Sequence, residues 1–232
     1  MSSDFEFFYE VLMSNRPSLR VIAYVDGFNL YFGLKDSKYK RFYWLNLQDM
    51  VLKLLRKYQK LVLTKYFTAR ISGPEKGDSS RLARDLEAKR CRQGTFLEAL
   101  ETLDEFVIFY GHYLREKLNC HECGHIWNDH EEKMTDVNIA TEMLSDAFEN
   151  KFDTALLISA DSDLVPTVNA IKRLFPEKQI IAYFPPGRFS AQLKNVADQQ
   201  FTIGRRTLAK SQFPDQVVKA DGYVLKRPEQ WR

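Results

Sequence analysis

The stretch Arg20-Val-Ile-Ala-Tyr-Val-Asp-Gly-Phe-Asn29 joins an apolar run to a short polar segment. The run from Val21 to Val25 has no charged residue, which is typical of a parallel strand buried on both faces. A second apolar run, Ala155-Leu-Leu-Ile-Ser159, leads into Ala160-Asp-Ser-Asp163. In an open parallel sheet, the loops that follow such strands converge at one edge, where ligands bind. These stretches therefore predict an α/β protein with acidic residues at that edge.

Strand-like and helix-like segments alternate along most of the chain. The predicted strands are 20–25, 61–70, 106–113, 154–159 and 179–184, and the predicted helices are 47–58, 80–103, 135–149 and 164–174. Strands separated by helices of this length indicate βαβ units. We therefore expect a three-layer α/β fold with a mainly parallel central sheet flanked by helices.

The chain has 232 residues, of which 44% are hydrophobic and 28% charged, so it is long enough to form one sizeable core. We expect an N-terminal helical extension over 1–19 and one domain over 20–212. Within that domain, 114–134 is predicted to be a Cys/His insertion. The C-terminal segment 213–232 is predicted to be an irregular tail packed on the domain.

The sequence also indicates the cellular compartment of the protein and whether it contacts a membrane. The start MSSDFEFFYEVL is acidic and aromatic, unlike a secretory signal, and no apolar run approaches the ~20 residues of a membrane span. Three cysteines make no disulfide framework, and Cys91 is expected to be a buried or inert thiol. We therefore expect a cytoplasmic protein with no membrane partner.

A net charge of +3 is too small for general coating of nucleic acid, so any basic surface must be local. The best candidate runs from Arg81 to Arg92, with five basic and two acidic residues, although a solvated helix face explains it equally well. Candidates for phosphate contacts are Arg81, Arg84, Arg90, Lys172, Arg173 and Arg188. Candidates for stacking on bases are Phe28, Tyr31 and Tyr39.

Acidic residues follow two predicted strands and start one predicted helix: Asp26, Asp161 with Asp163, and Asp136. Each acid could simply cap a helix, and capping is the favoured explanation for Asp163, which is followed closely by Pro166. As a group they suggest a shared site, because two carboxylates ~4 Å apart repel by roughly 4 kcal/mol at an effective dielectric of 20. Such a cluster requires bound protons or a cation, and hard oxygen ligands favour Mg²⁺ or Mn²⁺.

A divalent ion held by aspartates can orient water for attack on a phosphodiester and stabilise the departing oxygen. No side-chain nucleophile is then required. This agrees with the sequence, which has no convincing Ser-His-Asp or Cys-His arrangement, because all four histidines lie between residues 112 and 130.

Three ordered motifs resemble the NYN domains of the PIN-like nuclease superfamily, in the LabA-like branch. They are Tyr24-Val-Asp-Gly-Phe-Asn-Leu-Tyr31, Glu132-Lys-Met-Thr-Asp-Val-Asn-Ile-Ala140 and Leu157-Ile-Ser-Ala-Asp-Ser-Asp-Leu-Val-Pro166. A weaker match continues from Tyr183-Phe-Pro-Pro-Gly-Arg188 to Ser211-Gln-Phe-Pro214. The resemblance implies a PIN-like fold and metal-dependent cleavage of RNA, leaving 5′ phosphate and 3′ hydroxyl ends.

Carried over motif by motif, the resemblance implies a catalytic site of Asp26, Asn29, Asp136, Asp161 and Asp163. Asp26, Asp136 and Asp161 would hold Mg²⁺ or Mn²⁺, directly or through water. Asp163 would shape the site or add a ligand, and Asn29 would be a polar helper. The expected partner is single-stranded RNA, and a homodimer is left open.

The insertion contains Cys120-His-Glu-Cys-Gly124, which looks like a zinc knuckle because two thiolates can grip one ion beside a glycine turn. Tetrahedral zinc needs two further ligands, and His112 and His130 are the best separated candidates, with His125 also near. This zinc would be structural and separate from the acidic cluster. A metal-free loop is the alternative.

Two other functions remain open. One is a non-catalytic nucleic-acid-binding or regulatory module on the same fold, because intact acids are necessary for cleavage without being sufficient. The other, less favoured, is a phosphohydrolase of the haloacid dehalogenase type, since Asp161-Ser-Asp-Leu-Val165 contains the Asp-x-Asp-x-Val signature. That signature belongs on an early strand with paired acids far downstream, whereas here it lies late in the chain.

Overall fold

The structure is a computed structural model that describes residues 18–74, 77, 79–119, 122–124 and 126–232, with the backbone alone over 113–119 and 126–133. The predicted helical extension over 1–19 lies almost wholly outside the described residues, and the first strand begins at Leu19. Within the described part of the chain, no helix has the length and apolar character that crossing a membrane requires.

The core of the fold is a seven-stranded sheet in the order β4-β3-β2-β1-β5-β6-β7. The strands are β1 Leu19–Asp26, β2 Gln59–Ala69, β3 Phe106–Asn119, β4 Ile126–Lys133, β5 Thr154–Ile158, β6 Gln179–Phe184 and β7 Gln199–Thr202. All neighbours pair in parallel except β3 and β4, which are antiparallel. The chain builds outward from β1 to one side and then from β5 to the other, so the switch point for ligands lies between β1 and β5.

Helices cover both faces of this sheet. They are α1 Gly27–Asp36, α2 Leu47–Leu54, α3 Arg81–Leu100, α4 Thr135–Phe148, α5 Val165–Leu174, α6 Ala191–Val196 and α7 Arg205–Lys210. Alternate residues of β1 point to opposite faces, so Val21 and Val25 pack with α1, α2 and α3, whereas Ile22 and Tyr24 pack with α4 and α5. The predicted three-layer α/β fold with a mainly parallel sheet is confirmed.

Helix α1 was missed by the sequence prediction, which treated the residues after Asp26 as a loop. The helix buries Gly27, Leu30, Gly33 and Leu34, so glycines occupy part of its buried face and weaken the apolar pattern. Both glycines are required by close contacts, since a Cβ at Gly33 would lie 2.8 Å from the Pro185 side chain. The smaller elements β7, α6 and α7 were also not predicted.

The predicted insertion over 114–134 is largely a β-hairpin, so the prediction that the third strand ends at 113 is wrong. Strand β3 continues to Asn119, and β4 returns beside it. Pairing with β4 begins at His112, directly after Gly111, which is the last residue paired with β2. The hairpin therefore projects beyond the carboxyl edge of the parallel sheet. Its charged sequence lacks the apolar run of a buried strand, which explains the error.

The C-terminal segment is more ordered than predicted. Strands β8 Gln216–Val218 and β9 Val224–Lys226 form an antiparallel pair, so the prediction of an irregular tail is wrong there. Leu225 and Trp231 are buried in the same core cluster as α1, α2 and α3. The ring of Trp231 lies 5.8 Å from that of Tyr43, measured between centroids.

Candidate active site

Three aspartates meet at the carboxyl edge of the sheet. Asp26 ends β1, Asp161 follows β5, and Asp136 lies in the first turn of α4. One carboxylate oxygen from each lies within 4.8 Å of the other two. Asp26 is 3% exposed, whereas Asp136 and Asp161 are half-buried and reach solvent. The structure thus brings together the three residues that the sequence suggested as metal ligands.

Asp26 is held by the start of helix α1. Its Oδ1 accepts a hydrogen bond from the backbone N–H of Asn29 at 2.9 Å, so Asp26 is the N-cap of that helix. Strand and helix follow each other with no loop, which brings Gly27 against β2. A Cβ at Gly27 would lie 2.6 Å from the carbonyl oxygen of Phe67 and 2.8 Å from the Tyr66 ring, so only glycine fits.

Ser159 is a residue of the site that the sequence analysis missed. Its hydroxyl donates to Oδ2 of Asp26 at 2.8 Å and accepts the backbone N–H of Asp161 at 3.0 Å. Ser159 is fully buried, so the polar contacts replace the water it has lost. The sequence contains an indication of this role. Val25 and Ile158 end the two apolar runs and are paired in parallel register, so the residues that follow them, Asp26 and Ser159, lie side by side.

Asn29 strengthens the same connection between β1 and β5. Its side-chain Oδ1 accepts the backbone N–H of Ala160 at 3.1 Å. Asn29 therefore lies beside the cluster, as predicted, where it holds the loop that carries Asp161. In this structure the Asn29 side chain fixes the backbone at Ala160 and thereby positions Asp161.

Asp161 and Asp163 have different environments. Asp161 Oδ1 accepts the backbone N–H of Asp163 at 3.0 Å and caps the short helix Ser162–Leu164. Asp163 is exposed and, among the described residues, is not part of the aspartate cluster. The prediction that Asp163 caps the next helix is wrong, because α5 has Leu164 at its N-cap and no side-chain bond there.

Asp136 is brought to the cluster by the end of the β3–β4 hairpin. Met134 has a φ of 81°, the left-handed conformation, and this turns the chain from β4 into α4. An acid in the first helical turn is also favoured by the helix dipole. Asp26 and Asp161 act as caps and Asp136 suits its helix, yet two ionised carboxylates within 4.8 Å still repel by at least roughly 3.5 kcal/mol at an effective dielectric of 20.

The predicted zinc site is only partly within the described residues. Cys120 and the side chain of His130 lie outside them, as does His125. Cys123 and His112 are described, and both are exposed. The zinc site stays a prediction.

The predicted phosphate-binding arginines are not equally available. Arg81 and Arg84 are exposed on α3. Arg90 donates to Glu87 within the same helix, with Nε 2.8 Å from Oε2, and Arg188 pairs with Asp36 at 2.8 Å. Lys172, proposed for the same role, pairs with Asp198 at 2.7 Å, and Arg173 is exposed.

Of the two expectations for Cys91, a buried or an inert thiol, burial is wrong, and inertness stays a prediction. Cys91 is exposed on α3, with Sγ 3.5 Å from a carboxylate oxygen of Glu87. It occupies the solvent side of a helix whose buried positions include Leu97 and Leu100.

A cavity of about 380 Å³ lies on the sheet face covered by α1 and α3, and none of the three aspartates lines it. Gly27 and Phe28, which directly follow Asp26, form part of its wall. Its other aromatic lining residues are Tyr31, Phe32, Tyr43, Tyr66, Phe96 and Trp231, and its basic lining residues are Lys35, Lys40, Lys89 and Arg92. Burial, followed by the nearby Tyr31 and Asp36, raises the pKa of Tyr43 to about 12, so this phenol is neutral at physiological pH.

The sequence model of one family, described as the NYN domain, matches residues 20–204. The chain belongs to the NYN domain family. NYN domains are part of the PIN-like superfamily, so this chain has a nuclease-type fold with an acidic cluster at its switch point. The match gives the family and not a branch of it, and the LabA-like assignment stays a prediction.

One curated relative of this NYN protein is 6-hydroxy-3-succinoylpyridine 3-monooxygenase HspA from Pseudomonas putida, 28% identical over 184 residues. That match covers 66% of this chain and 56% of HspA, so the chain spans little more than half of the relative's length. Among solved structures, a protein of unknown function from Vibrio parahaemolyticus is similar with a TM-score of 0.48 and 16% identity. The similarity covers 82% of this chain and 96% of that one.

Proposed function

We propose that this NYN protein is a metal-dependent endoribonuclease that hydrolyses phosphodiester bonds in single-stranded RNA. The observation that carries the proposal is the meeting of three carboxylates, one oxygen of each within 4.8 Å of the others, at the switch point of the sheet. Membership of a nuclease-type family supports the reaction class, and RNA as the substrate rests on that membership. The residues proposed to bind metal are Asp26, Asp136 and Asp161.

The donor set fits a hard divalent cation. All three side chains offer carboxylate oxygens, which Mg²⁺ and Mn²⁺ prefer, and their mutual repulsion is relieved by a bound cation. When bound, such an ion activates water and neutralises charge on the phosphoryl oxygens. The aspartate cluster therefore fits a divalent cation both in charge and in ligand type.

The aspartates of the site have different roles in the proposed reaction. Asp26 is fixed by its bonds to Asn29 and Ser159, so it sets the position of the site. Asp136 and Asp161 are half-buried and face the solvent side, where the substrate phosphate approaches. Asp163 is exposed two residues after Asp161, and we propose that it shapes the site or adds a ligand.

The direct test incubates labelled single-stranded RNA with Mn²⁺ or Mg²⁺. We expect wild type to cleave it and Asp26→Asn, Asp136→Asn and Asp161→Asn each to lose at least about 100-fold, since even outer partners of metal ligands cost 10- to 100-fold. Asp104→Asn is the matched control, because Asp104 is exposed in the segment before β3, at the opposite edge of the sheet. Equal activity in wild type and the three variants would remove the assignment.

Metal binding is tested separately from cleavage by thermal unfolding. A ligand that binds only the folded state raises its stability. Millimolar Mn²⁺ should therefore raise the melting temperature of wild type and of Asp104→Asn, and do much less for Asp161→Asn. Equal shifts in all three proteins would contradict a shared metal site.

Two alternative functions predict results that differ from those of a ribonuclease. A non-catalytic binding module would bind RNA and Mn²⁺ without cleaving the RNA under any metal condition. A haloacid dehalogenase type phosphohydrolase would form a phosphoaspartate on Asp161 with a phosphomonoester substrate. Either result would replace the ribonuclease proposal.

A second candidate function is chemistry on a small aromatic acid, because the name of HspA describes oxygenation of a hydroxypyridine for that protein. The specific observation in its favour is the cavity of about 380 Å³, within the range of roughly 300–1,000 Å³ that holds small ligands. Calorimetric titration with 6-hydroxy-3-succinoylpyridine tests it. Binding that is lost in Arg92→Gln, together with no RNA cleavage, would favour this candidate.

A further inference from the structure

We propose that the cavity beside Asp26 is a stacking pocket for one unpaired nucleobase, adjacent to the phosphate held at the aspartate cluster. This inference rests on the proposed action on RNA and specifies where the neighbouring base lies. It also explains why an apolar cavity with a basic rim occurs at this place in the fold.

The position of the cavity supports a ligand continuous with the reacting phosphate. Asp26 faces the cluster, whereas Gly27 and Phe28, the next two residues, line the cavity. The lining also includes Thr68, near the end of β2, and Ile71, just beyond it, so the cavity reaches the same carboxyl edge as the aspartates. A single strand crossing this edge can place a phosphate on one side of the Asp26–Gly27 junction and a base on the other.

The aromatic residues of the cavity suit a planar base. Tyr31 is 44% exposed although it is a large aromatic residue, and its ring centroid lies 5.3 Å from that of Tyr43. Phe32 beside it is 39% exposed. Stacking of bases on such rings needs no particular sequence, because every base has a π-face.

The charge of the rim suits the phosphates on either side of that base. Lys35, Lys40, Lys89 and Arg92 line the cavity, and its lining contains no Asp or Glu. Within the part of the chain that the structure describes, no ion pair joins these four side chains to a carboxylate. Arg90 and Arg188, by contrast, are held by Glu87 and Asp36. These four residues are therefore better placed to contact phosphates than Arg90 and Arg188.

A nucleotide within a chain fits these features better than a small aromatic acid. One carboxylate would engage one or two of the four basic side chains, whereas the phosphates of a polynucleotide can engage all of them. The volume of about 380 Å³ accommodates a ring, and the cavity extends to Thr68 and Ile71 at the carboxyl edge, from which the backbone can continue towards the aspartates.

The test measures binding without cleavage, by fluorescence anisotropy of a labelled single-stranded RNA of about eight nucleotides. The 232-residue chain is used with a chelator present, so that binding is measured without metal and without cleavage. Tyr31→Ala should weaken binding about 10- to 100-fold, since the stacked ring is removed. Tyr31→Phe keeps the ring and should bind like wild type.

Arg92→Gln provides an independent variant at the rim. It should weaken binding uniformly across sequences and reduce the slope of log Kd against log salt by about one. Lys60→Gln is the matched control, because Lys60 is exposed near the start of β2, at the opposite end of the strand from the cavity. Tyr223→Ala, with Tyr223 62% exposed on the β8–β9 turn, is the aromatic control. Both controls should bind as wild type does.

A single abasic nucleotide, placed at each position of the RNA in turn, identifies the contribution of a base. One position should weaken binding to wild type about as much as Tyr31→Ala does, and the two losses should not add. Additive losses, or wild-type binding by both Tyr31→Ala and Arg92→Gln, would overturn the pocket. Binding of 6-hydroxy-3-succinoylpyridine with no binding of RNA would overturn it too.

The outcomes separate this inference from the proposed function. Cleavage of RNA at normal rates with binding unaffected by cavity variants would leave the nuclease and remove the pocket. Base-dependent binding through Tyr31, with no cleavage by wild type in Mn²⁺ or Mg²⁺, would leave the pocket and remove the nuclease.

Discussion

The hydroxyl of Ser159 lies 2.8 Å from Oδ2 of Asp26, and this bond joins the ends of the two central strands β1 and β5. The same hydroxyl accepts the backbone N–H of Asp161. One buried side chain therefore sets the distance between two of the three aspartates. The candidate metal site depends on Ser159 although Ser159 is not a proposed ligand.

Replacing Ser159 with alanine should weaken Mn²⁺ binding by about 10- to 100-fold, because Asp26 and Asp161 lose the group that orients them. Isothermal titration calorimetry with Mn²⁺ measures the effect directly. Ser162→Ala is the control, since Ser162 is exposed in the short helix that Asp161 caps. Equal Mn²⁺ affinities in the two variants would show that Ser159 does not position the aspartates.

Two glycine substitutions should have opposite effects on stability. Gly27→Ala should destabilise the fold by about 1–3 kcal/mol, because its Cβ would press on the Phe67 carbonyl and the Tyr66 ring. Gly94→Ala in α3 should stabilise it by up to about 1 kcal/mol, since a Cβ there meets nothing within 4 Å. Urea unfolding of both variants tests the pair, and the same sign of change in both would contradict the packing argument.

Lys65 is buried on the sheet face covered by α4, where it pairs with Asp146 and Glu142. Tyr24 donates to Asp146 at 2.7 Å, and burial, followed by the charge of Asp146, raises the pKa of Tyr24 well above its usual value. Asp146→Asn should cost about 3–5 kcal/mol in the free energy of unfolding, since a buried charge loses its buried partner.

Glu142→Gln is the matched variant for this pair. The Glu142 side chain is 29% exposed against 1% for Asp146, so its loss should cost less than about 1 kcal/mol. Chemical denaturation at neutral pH compares the two. A larger loss for Glu142→Gln would mean that burial does not decide the strength of these ion pairs.

Arg20 and Asp153 join the starts of β1 and β5, with the guanidinium and the backbone N–H of Arg20 both donating to the carboxylate. The side-chain hydrogen bond from Arg20 lowers the pKa of Asp153. A lowered pKa in the folded state stabilises the fold above the unfolded pKa of about 3.9, and this contribution is lost as pH falls through the folded value.

Wild type should therefore be more stable than Asp153→Asn at pH 7, by roughly 1 kcal/mol because the pair is partly exposed. The difference should shrink below about pH 4, once the wild-type carboxyl is protonated. Urea unfolding at a series of pH values measures it. A difference that is constant down to the lowest pH at which the protein folds would contradict the role of the Asp153 charge.

The sequence predicted the layers, Asp26 and Asp161 from its apolar runs, and Asp136 from its place at the start of a predicted helix. Apolar runs such as 21–25 and 155–158 report burial on both faces, and an acid that follows such a run must lie at the carboxyl edge. Helix α1 was not predicted, because two of its buried positions are glycines. Close contacts with distant residues such as Phe67 and Pro185 require glycine there, and these contacts are not visible in the local sequence.

The cavity could not be predicted for a related reason. Its lining comes from α1, the segment 40–47, the end of β2, α3 and Trp231 near the C-terminus, and no local period connects these segments. Phe28 and Tyr31 were suggested from the sequence as stacking residues, and both do line it. Tyr39 does not, whereas Lys89 and Arg92, which belong to the basic run suggested from the sequence, line it as well.

The direct passage from β1 into α1 at Asp26–Gly27 restricts how related proteins can vary in length. An added or deleted residue there would rotate Asp26 and Asn29 away from β5, since the N-cap and the first helical turn have fixed spacing. Strands β3 and β4 pair with each other over 112–119 and 126–133, where neither strand pairs with the central strands β1 and β5. Homologues should therefore tolerate a change in the length of this hairpin but no insertion between residues 26 and 29.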